Sequence, residues 1–299
     1  MRARSTKVIL REVDFKSLYN EFKGDKEALK LRLKVSDNIL RDLISATFGN
    51  ATTTSSIPEA VEISPQEARK NITNKFDTLE LLVKGVADGK ISGVLVSGPG
   101  GTGKTYTVEE TLKGENINYI RISGHISPLS LYETLYQNCL PGQILVFDDC
   151  DSVFETPQTI NILKAALETS PSRTIHWNSH SGLNQAPPVF DYQGALIFLT
   201  NKVLKGLHFE ALVSRIHHME MTFTDSEILY RIEDVMEGVN HRGIEADMKL
   251  EVLQFMKDHK AQFIARGALN LRSFLKVLDL RALSDARWKD MTKSMLFCK

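Results

Sequence analysis

The chain contains the stretch Gly98-Pro99-Gly100-Gly101-Thr102-Gly103-Lys104-Thr105, which fits the pattern G-x-x-x-x-G-K-[ST]. The apolar run 91–97 before it predicts a buried strand, and the residues from Tyr106 onward carry helical spacing. A glycine-rich loop at this junction can turn its backbone N–H groups toward an anion, which the positive end of the helix also attracts. We therefore expect residues 98–106 to bind nucleotide phosphates; a plain glycine-rich turn is the alternative.

Two side chains of this loop have chemistry suited to a bound nucleotide. The Lys104 ammonium can reach the β- and γ-phosphates, and the Thr105 hydroxyl can bind Mg²⁺. The expected ligands of this loop are therefore ATP and Mg²⁺.

The composition and length are typical of an ordinary soluble globular protein. Its 299 residues are 42% hydrophobic and 25% charged, enough for one large core with a satellite domain or for two domains. No apolar run approaches the roughly 20 residues that span a bilayer, and the basic N-terminus precedes an apolar run too short for a signal peptide. Three cysteines without C-x-x-C spacing suit a reducing compartment. We expect a cytoplasmic protein with no membrane partner.

The net charge of zero gives no global argument for nucleic-acid binding. Residues 1–49, however, hold 11 Lys and Arg against 7 Asp and Glu. This basic segment could contact DNA, RNA or an acidic protein, or it could be a solvated surface of uneven charge.

The pattern along the chain divides it into three regions. Residues 1–58 are predicted to be a helical N-terminal extension that ends in a small, polar linker closed by Pro58. Residues 59–222 alternate helical and strand patterns, which predicts an α/β domain around a mostly parallel sheet. Residues 223–299 are predicted to be helical, and the sequence 224–227 has the form of a helix N-cap.

A second apolar run, 144–147, ends in the two carboxylates Asp148 and Asp149. Such a run predicts a strand buried on both faces, and parallel sheets place their ligands at the carboxyl ends of their strands. We assign Asp148 to Mg²⁺ and Asp149 to orienting or deprotonating the attacking water. An ordinary strand end is the alternative.

Three further polar residues follow in order. Asn201 ends the apolar run 195–200, and its amide can bond both to a γ-phosphate and to water, although it could equally open a turn. Arg215 and Arg272 are candidates for binding phosphate, because a guanidinium binds it bidentately and stays charged. An isolated arginine is normally a surface ion-pair partner, so both assignments depend on the order of the motifs around them.

In that order, these motifs resemble the AAA+ ATPase family over residues 70–285. The stretch 98–105 is similar to the family's Walker A loop and 144–149 to its Walker B strand. Asn201 falls at the sensor 1 position, Arg215 at the arginine finger and Arg272 at sensor 2 in the helical lid. Residues 103–109, 147–154 and 161–167 resemble AAA+ ATPases encoded by tailed bacteriophages.

The resemblance implies a fold and an activity. The fold is an α/β P-loop NTPase core, with a parallel sheet sandwiched by helices, a C-terminal helical lid and here a helical extension. The activity is ATP hydrolysis in a homo-oligomer, a ring or an open ring, with Arg215 entering the neighbouring subunit's site. The client is DNA or protein, with phage DNA replication or recombination as the expected setting.

One position departs from the family. The Walker B aspartate is usually followed by Glu, whereas this chain has Asp149. The carboxylate is thereby withdrawn by about 1.5 Å, one C–C bond, and misplacement by about 1 Å can cost roughly a hundredfold in rate. Slow hydrolysis, a base that acts through an extra water, or Asp151 in its place are the alternatives.

Two other segments bear on the client. Residues 173–192 hold two strand-like runs and predict either a functional hairpin or an insertion that packs Trp177 and Phe190 over the sheet. The loop 123–128, which the resemblance directs toward a ring's pore, lacks the aromatic-glycine pattern of protein-threading unfoldases. The histidines lack metal-ligand spacing.

Two rival functions remain beside the ATPase. The first is a nucleotide-gated assembly switch, or a protein remodeller, with little hydrolysis, which Asp149 motivates. The second is a P-loop kinase for a small molecule, which would leave Arg215 and the C-terminal helices without a role.

Overall fold

The computed structural model describes residues 64–170, 172–178, 186–202, 207–238 and 241–297, together with Tyr19, Glu21 and Leu33. The chain divides into two compact units, Met1–Ile63 and Ser64–Lys299. Apart from those three isolated positions, the predicted extension at 1–58 lies outside the described residues. The elements that position the site all belong to the second unit.

The first part of this unit alternates helices and strands. In chain order they are α1 (Pro65–Ala87), β1 (Gly93–Ser97), α2 (Lys104–Gly114), β2 (Tyr119–Ser123), α3 (Pro128–Gln137), β3 (Ile144–Asp148), α4 (Pro157–Ala166), β4 (Thr174–His176), β5 (Val189–Asp191), β6 (Ala195–Thr200), α5 (Leu207–Val213) and β7 (His217–Glu220). Five strands form a parallel sheet in the order β2-β3-β6-β1-β7. The predicted α/β core with a parallel sheet is confirmed.

The central strands are apolar throughout because helices cover both faces of the sheet. Every residue of β1, β3 and β6 is buried, as expected for parallel strands between two helical layers. Side chains alternate between the faces. Val94 packs in one core cluster with residues of α1 and α2, and Leu95 packs in the other with residues of α3 and α4.

The register of the strands brings their carboxyl ends to one edge of the sheet. Ser97, the last residue of β1, lies opposite Thr200 of β6. Asp148, the last residue of β3, lies opposite Leu199 of β6 and Ser123 of β2. The polar residues that follow these strands therefore emerge side by side.

After β7 the described chain is helical, with α6 (Asp225–Met236), α7 (Ala246–Asp258), α8 (Lys260–Ala265), α9 (Leu271–Leu283), α10 (Trp288–Thr292) and a π-helical turn (Lys293–Phe297). A capping box opens α6: the Thr224 hydroxyl accepts from the Glu227 N–H, and the Glu227 carboxylate accepts from the Thr224 N–H. These helices share their own apolar cluster around the buried Trp288. We call them the lid.

The insertion before β6 forms a small antiparallel pair. β4 and β5 pair with Ile175 opposite Phe190, and residues 179–185 between them lie outside the described part. The ring centroids of Trp177 and Phe190 lie 5.3 and 5.1 Å from that of Tyr132 on α3. The two strands pair, and their aromatic side chains also pack on the core.

Among the described residues, no helix has both the length and the apolar character needed to cross a membrane.

Candidate phosphate-binding site at the carboxyl edge of the sheet

The loop between β1 and α2 has a backbone that requires glycine. Gly98 has φ +150°, and a Cβ atom there would lie 2.3 Å from the Met221 carbonyl oxygen. Gly103, the residue before α2, has φ +99°. Both conformations disfavour other residues, so the loop follows this path because glycine occupies these positions.

Lys104 is folded into this loop rather than exposed to solvent. It is 6% exposed, and its Nζ donates to the carbonyl oxygens of Gly98 (2.8 Å) and Pro99 (2.7 Å). Burial lowers the pKa of Lys104 to about 8, against a counteracting attraction from Asp149 and with a smaller lowering from Arg272. A lysine held this way gains free energy from any anion that enters the loop.

The last residue of β3 meets the first turn of α2. Thr105 Oγ1 donates to Asp148 Oδ1 at 3.0 Å, and Asp148 is 6% exposed. A hydroxyl and a carboxylate at this separation are oxygen donors of the kind that Mg²⁺ takes. The donor set therefore fits Mg²⁺.

Asp149, Asn201, Lys104 and Arg272 form one polar network. Asn201 donates from Nδ2 to Asp149 Oδ1 at 2.7 Å and accepts from Lys104 Nζ at 3.2 Å. Arg272 Nη2, which comes from the lid, lies 3.8 Å from Asp149 Oδ2. Asp149 itself has φ +51°, and its N–H donates to the Leu199 carbonyl oxygen at 3.0 Å. The left-handed turn directs this carboxylate across the end of β6.

Asp151, the alternative base, is engaged elsewhere. Its Oδ1 accepts from Thr200 Oγ1 at 2.6 Å, and its Oδ2 lies 3.2 Å from Lys202 Nζ. It is not among the residues that line the cavity beside Lys104.

That cavity has a volume of about 510 Å³ and lies between the loop and the lid. From the core, its lining includes Gly101, Thr102, Gly103, Lys104, Thr105, Tyr106, Asp148, Asp149 and Asn201. From the lid, it includes Arg231, Val235, Gly238, Leu271, Arg272 and Leu275. Gly98, Pro99 and Gly100 do not line it; they form the turn that leaves β1. The volume suits a small organic ligand.

The lid touches the loop directly. The Leu271 N–H, at the start of α9, donates to the Gly101 carbonyl oxygen at 2.8 Å. Asn270 caps the same helix by accepting from the Ser273 N–H, and its side chain lies beside Gly101. The N-terminus of α9 is thus anchored on the phosphate loop.

Two arginines at the site were missed by the sequence analysis. Arg121 on β2 places Nη2 2.5 Å from Asp148 Oδ2 and Nη1 3.0 Å from Glu109 Oε1. Arg231 on α6 lines the cavity, with Nη2 3.2 Å from Thr107 Oγ1. A charged residue inside the strand that precedes Walker B was a usable signal for Arg121. For Arg231 the signal was its spacing of four and seven residues from Val235 and Gly238, which places the three on one helix face that lines the cavity.

Arg215 is not brought to this cavity. It lies between α5 and β7, where its Nε is 3.2 Å from Glu168 Oε2 and its Nη1 donates to the Ala211 carbonyl oxygen at 2.8 Å. Because it precedes β7, it sits toward the amino end of the strand that β1 pairs with. Its predicted action on a neighbouring subunit stays a prediction.

Two of the described histidines make side-chain contacts with neighbouring residues. His218 Nε2 lies 2.9 Å from Ser97 Oγ, and His241 Nε2 lies 2.8 Å from Asp279 Oδ1. Within the described ranges, no group of three His, Cys, Asp or Glu residues is arranged to hold a metal ion.

The parallel sheet, the phosphate loop and the acid-tipped neighbouring strand define a P-loop core, and its motifs stand in the order by which the sequence resembles the AAA+ class. No family model matches the chain. Over 240 residues it is 31% identical to a 36.7 kDa phage T4 protein from the nrdC–mobD intergenic region, covering 73% of this chain and 74% of that protein. The chain belongs to the same family as this phage protein, which confirms the predicted relation to proteins encoded by phages.

Solved structures of RuvB from Thermotoga maritima, a Holliday junction branch migration motor, are also similar. One covers 77% of this chain and 69% of its own, with 16% identity and a TM-score of 0.46. A single-residue variant of that protein covers 76% and 69%, with 16% identity and a TM-score of 0.48.

Proposed function

We propose that this protein is a Mg²⁺-dependent ATPase that hydrolyses ATP between the subunits of a homo-oligomer and thereby moves a macromolecular client. One observation carries the proposal: a buried lysine, a hydroxyl–carboxylate pair and a carboxylate–amide pair converge on a single cavity. Each group has a separate use in phosphoryl transfer, and a structural turn needs none of them.

The groups divide the work by position. The loop amides and Lys104 bind the phosphates, and Thr105 and Asp148 hold Mg²⁺, which when bound neutralises phosphate charge. Asp149 accepts a proton from the attacking water, and Asn201, which bonds to both Asp149 and Lys104, holds that water in line.

The two catalytic arginines reach the phosphates from different bodies. Arg272 enters from the lid of the same chain, where its side chain is 64% exposed and lies near Asp149. Arg215 acts in the site of the adjacent subunit. Its ion pair with Glu168 lies near the surface, so breaking that pair to bind a phosphate costs little free energy. An arginine supplied in this way speeds phosphoryl transfer by about 10³ to 10⁵.

A boundary near residue 222 separates the proposed α/β domain, 59–222, from the lid, 223–299. The nucleotide spans this boundary, so its state sets the angle between the two parts by a hinge motion. An attached client would be displaced by that motion.

The second candidate is a nucleotide-gated switch that scarcely hydrolyses ATP. The short side chain of Asp149 favours it, as does the hydrogen bond that already engages this carboxylate. Phosphate release below about one per minute, with intact ATP binding, would favour the switch; typical enzymes turn over at roughly 10 per second.

For the client we propose DNA, in phage replication or recombination within the host cytoplasm, with a protein client as the alternative. The phage family and the excess of basic residues at 1–49 support DNA. Stimulation of turnover by single- or double-stranded DNA, lost on deletion of residues 1–49, is the expected result; indifference to both would favour a protein client.

Complementation between two inactive variants tests the subunit arrangement. Arg215→Ala keeps a complete site of its own but lacks the arginine for its neighbour, whereas Asp149→Asn has the reverse defect. Each alone should release little phosphate, and a mixture should recover turnover at mixed interfaces. If Lys104→Ala binds ATP as well as the wild type, or if mixing restores nothing while Arg215→Ala alone keeps full turnover, the proposal fails.

A further inference from the structure

Arg231 is half-buried beside the phosphate loop, and its hydrogen-bonding groups are only partly paired. Its guanidinium carbon lies 3.6 Å from the Phe76 ring centroid, and its Nη2 donates to Thr107 Oγ1 at 3.2 Å. Its Nε is buried and has no hydrogen-bond partner. A buried donor without an acceptor costs free energy, so an acceptor that reaches this atom gains that energy back.

The Asp234 carboxylate, on the same helix, does not form an ion pair with Arg231. Asp234 is bound by Arg69, whose Nη1 lies 2.6 Å from Asp234 Oδ1, while its Nη2 lies 2.6 Å from Glu233 Oε2. Burial lowers the pKa of Arg231, although a guanidinium remains charged. Asp234 and Glu80 attract the Arg231 guanidinium, but among the described residues neither forms a direct ion pair with it, so the charge faces the loop without a carboxylate in contact.

The two lid arginines of the cavity reach opposite ends of the loop. A Cβ atom on Gly100 would lie 3.2 Å from Arg272 Nη1, at the end where Asp149 and Asn201 meet. A Cβ atom on Gly103 would lie 3.6 Å from Arg231 Nη2 and 3.7 Å from its Nε, at the N-terminus of α2. In such loops the helix end faces the α- and β-phosphates, and the opposite end faces the γ-phosphate.

Resting on the proposed function, we propose that Arg231 binds the phosphates that ADP and ATP share and so holds the lid on the core in both nucleotide states. Arg272 then distinguishes the two nucleotides, because only ATP carries the phosphate at its end of the loop. In the lid, Arg231 therefore responds to any bound nucleotide, and Arg272 responds to the γ-phosphate.

Arg69 is the matched control. It also joins α1 to α6, through Glu233 and Asp234, and its guanidinium stacks on Tyr230 at 4.6 Å. It does not line the cavity. A variant at Arg69 therefore loosens the same helix contact without removing a charge from the nucleotide site.

The experiment measures the affinities of ADP·Mg²⁺ and ATP·Mg²⁺ for the full chain and for Arg231→Met, Arg272→Met and Arg69→Met. Arg231→Met should weaken both nucleotides by the same factor, about 10 to 100, the value of a charge-assisted hydrogen bond. Arg272→Met should weaken ATP more than ADP, and Arg69→Met should change neither by more than about threefold.

Stability measurements separate binding from packing. Methionine keeps the apolar contact with Phe76 and removes an underpaired charge, so Arg231→Met should not lower the melting temperature without nucleotide. Equal losses of affinity in Arg231→Met and Arg69→Met would overturn the inference, as would a selective loss of ATP binding in Arg231→Met. If the wild type binds neither nucleotide, the proposed function itself is wrong.

Discussion

The lowered pKa of Lys104 makes nucleotide binding depend on pH in a way that can be calculated. With a pKa of about 8 in the free site, about a tenth of the lysine is neutral at pH 7, half at pH 8 and nine tenths at pH 9. Bound phosphates favour the charged form and return the pKa toward its ordinary value of 10.5 or above. Binding must then take up a proton wherever the free lysine is neutral.

The expected uptake is about half a proton at pH 8 and about 0.9 at pH 9, and affinity should fall roughly tenfold from pH 7 to pH 9. Titration calorimetry with ADP and saturating Mg²⁺ checks this in two buffers of different ionisation enthalpy. The difference between the two observed enthalpies gives the number of protons. Identical enthalpies in both buffers at pH 9 would refute the reasoning.

The pH dependence of stability in the free protein gives an independent control. The folded pKa of Lys104 lies below the unfolded value of 10.5, so the unfolded state binds more protons between pH 8 and 10.5. Stability therefore rises with pH across that window, by about 2 kcal/mol from pH 7.5 to 9.5. In denaturant titrations Lys104→Met should lack this rise; an equal rise in both proteins would contradict the assignment.

Three further substitutions, one of them with a matched control, test the fold and the proposed interface. Gly98→Ala would place a Cβ atom 2.3 Å from the Met221 carbonyl oxygen, so it should lower the free energy of unfolding by about 3 kcal/mol or more, measured by thermal unfolding. Gly114→Ala is the control: this position has open space around it, so the substitution should leave stability unchanged or raise it. Thr224→Ala removes the cap of α6 and should lower the unfolding free energy by about 1 kcal/mol. An unchanged unfolding free energy would show that the cap does not stabilise the protein. Arg215→Ala should change stability by less than about 1 kcal/mol, because its ion pair is partly solvated, while turnover falls at least a hundredfold; a large loss of stability would indicate a structural role instead.

The sheet and the polar residues at its carboxyl edge could be predicted because they depend on local sequence patterns. The runs 94–96, 144–147 and 195–199 are continuously apolar, as is typical of strands buried on both faces. Parallel strands share a carboxyl edge, so the polar residues after them had to lie together. Asp148 next to Thr105 and Asn201 next to Asp149 follow from that single rule.

The long-range contacts could not be predicted, since they depend on tertiary packing. Arg231 is more than 120 residues from Thr107, and only the docking of the lid brings the two together. Asp149 has a left-handed backbone and donates its N–H to Leu199, a contact between the ends of two strands that residue type alone does not indicate. Leu250, an apolar residue of α7, is 52% exposed, because helical spacing indicates a face but does not identify every residue that packs.

The central claim is that a nucleoside triphosphate occupies the cavity beside Lys104. A structure of the protein with Mg²⁺ and a slowly hydrolysed ATP analogue tests it most directly. We expect phosphates within hydrogen-bond distance of Lys104 Nζ, which would leave the Gly98 and Pro99 carbonyl oxygens, and a metal bound by Thr105 and Asp148. A nucleotide found elsewhere on the protein, or Lys104 still bonded to those two carbonyls with the analogue bound, would contradict it.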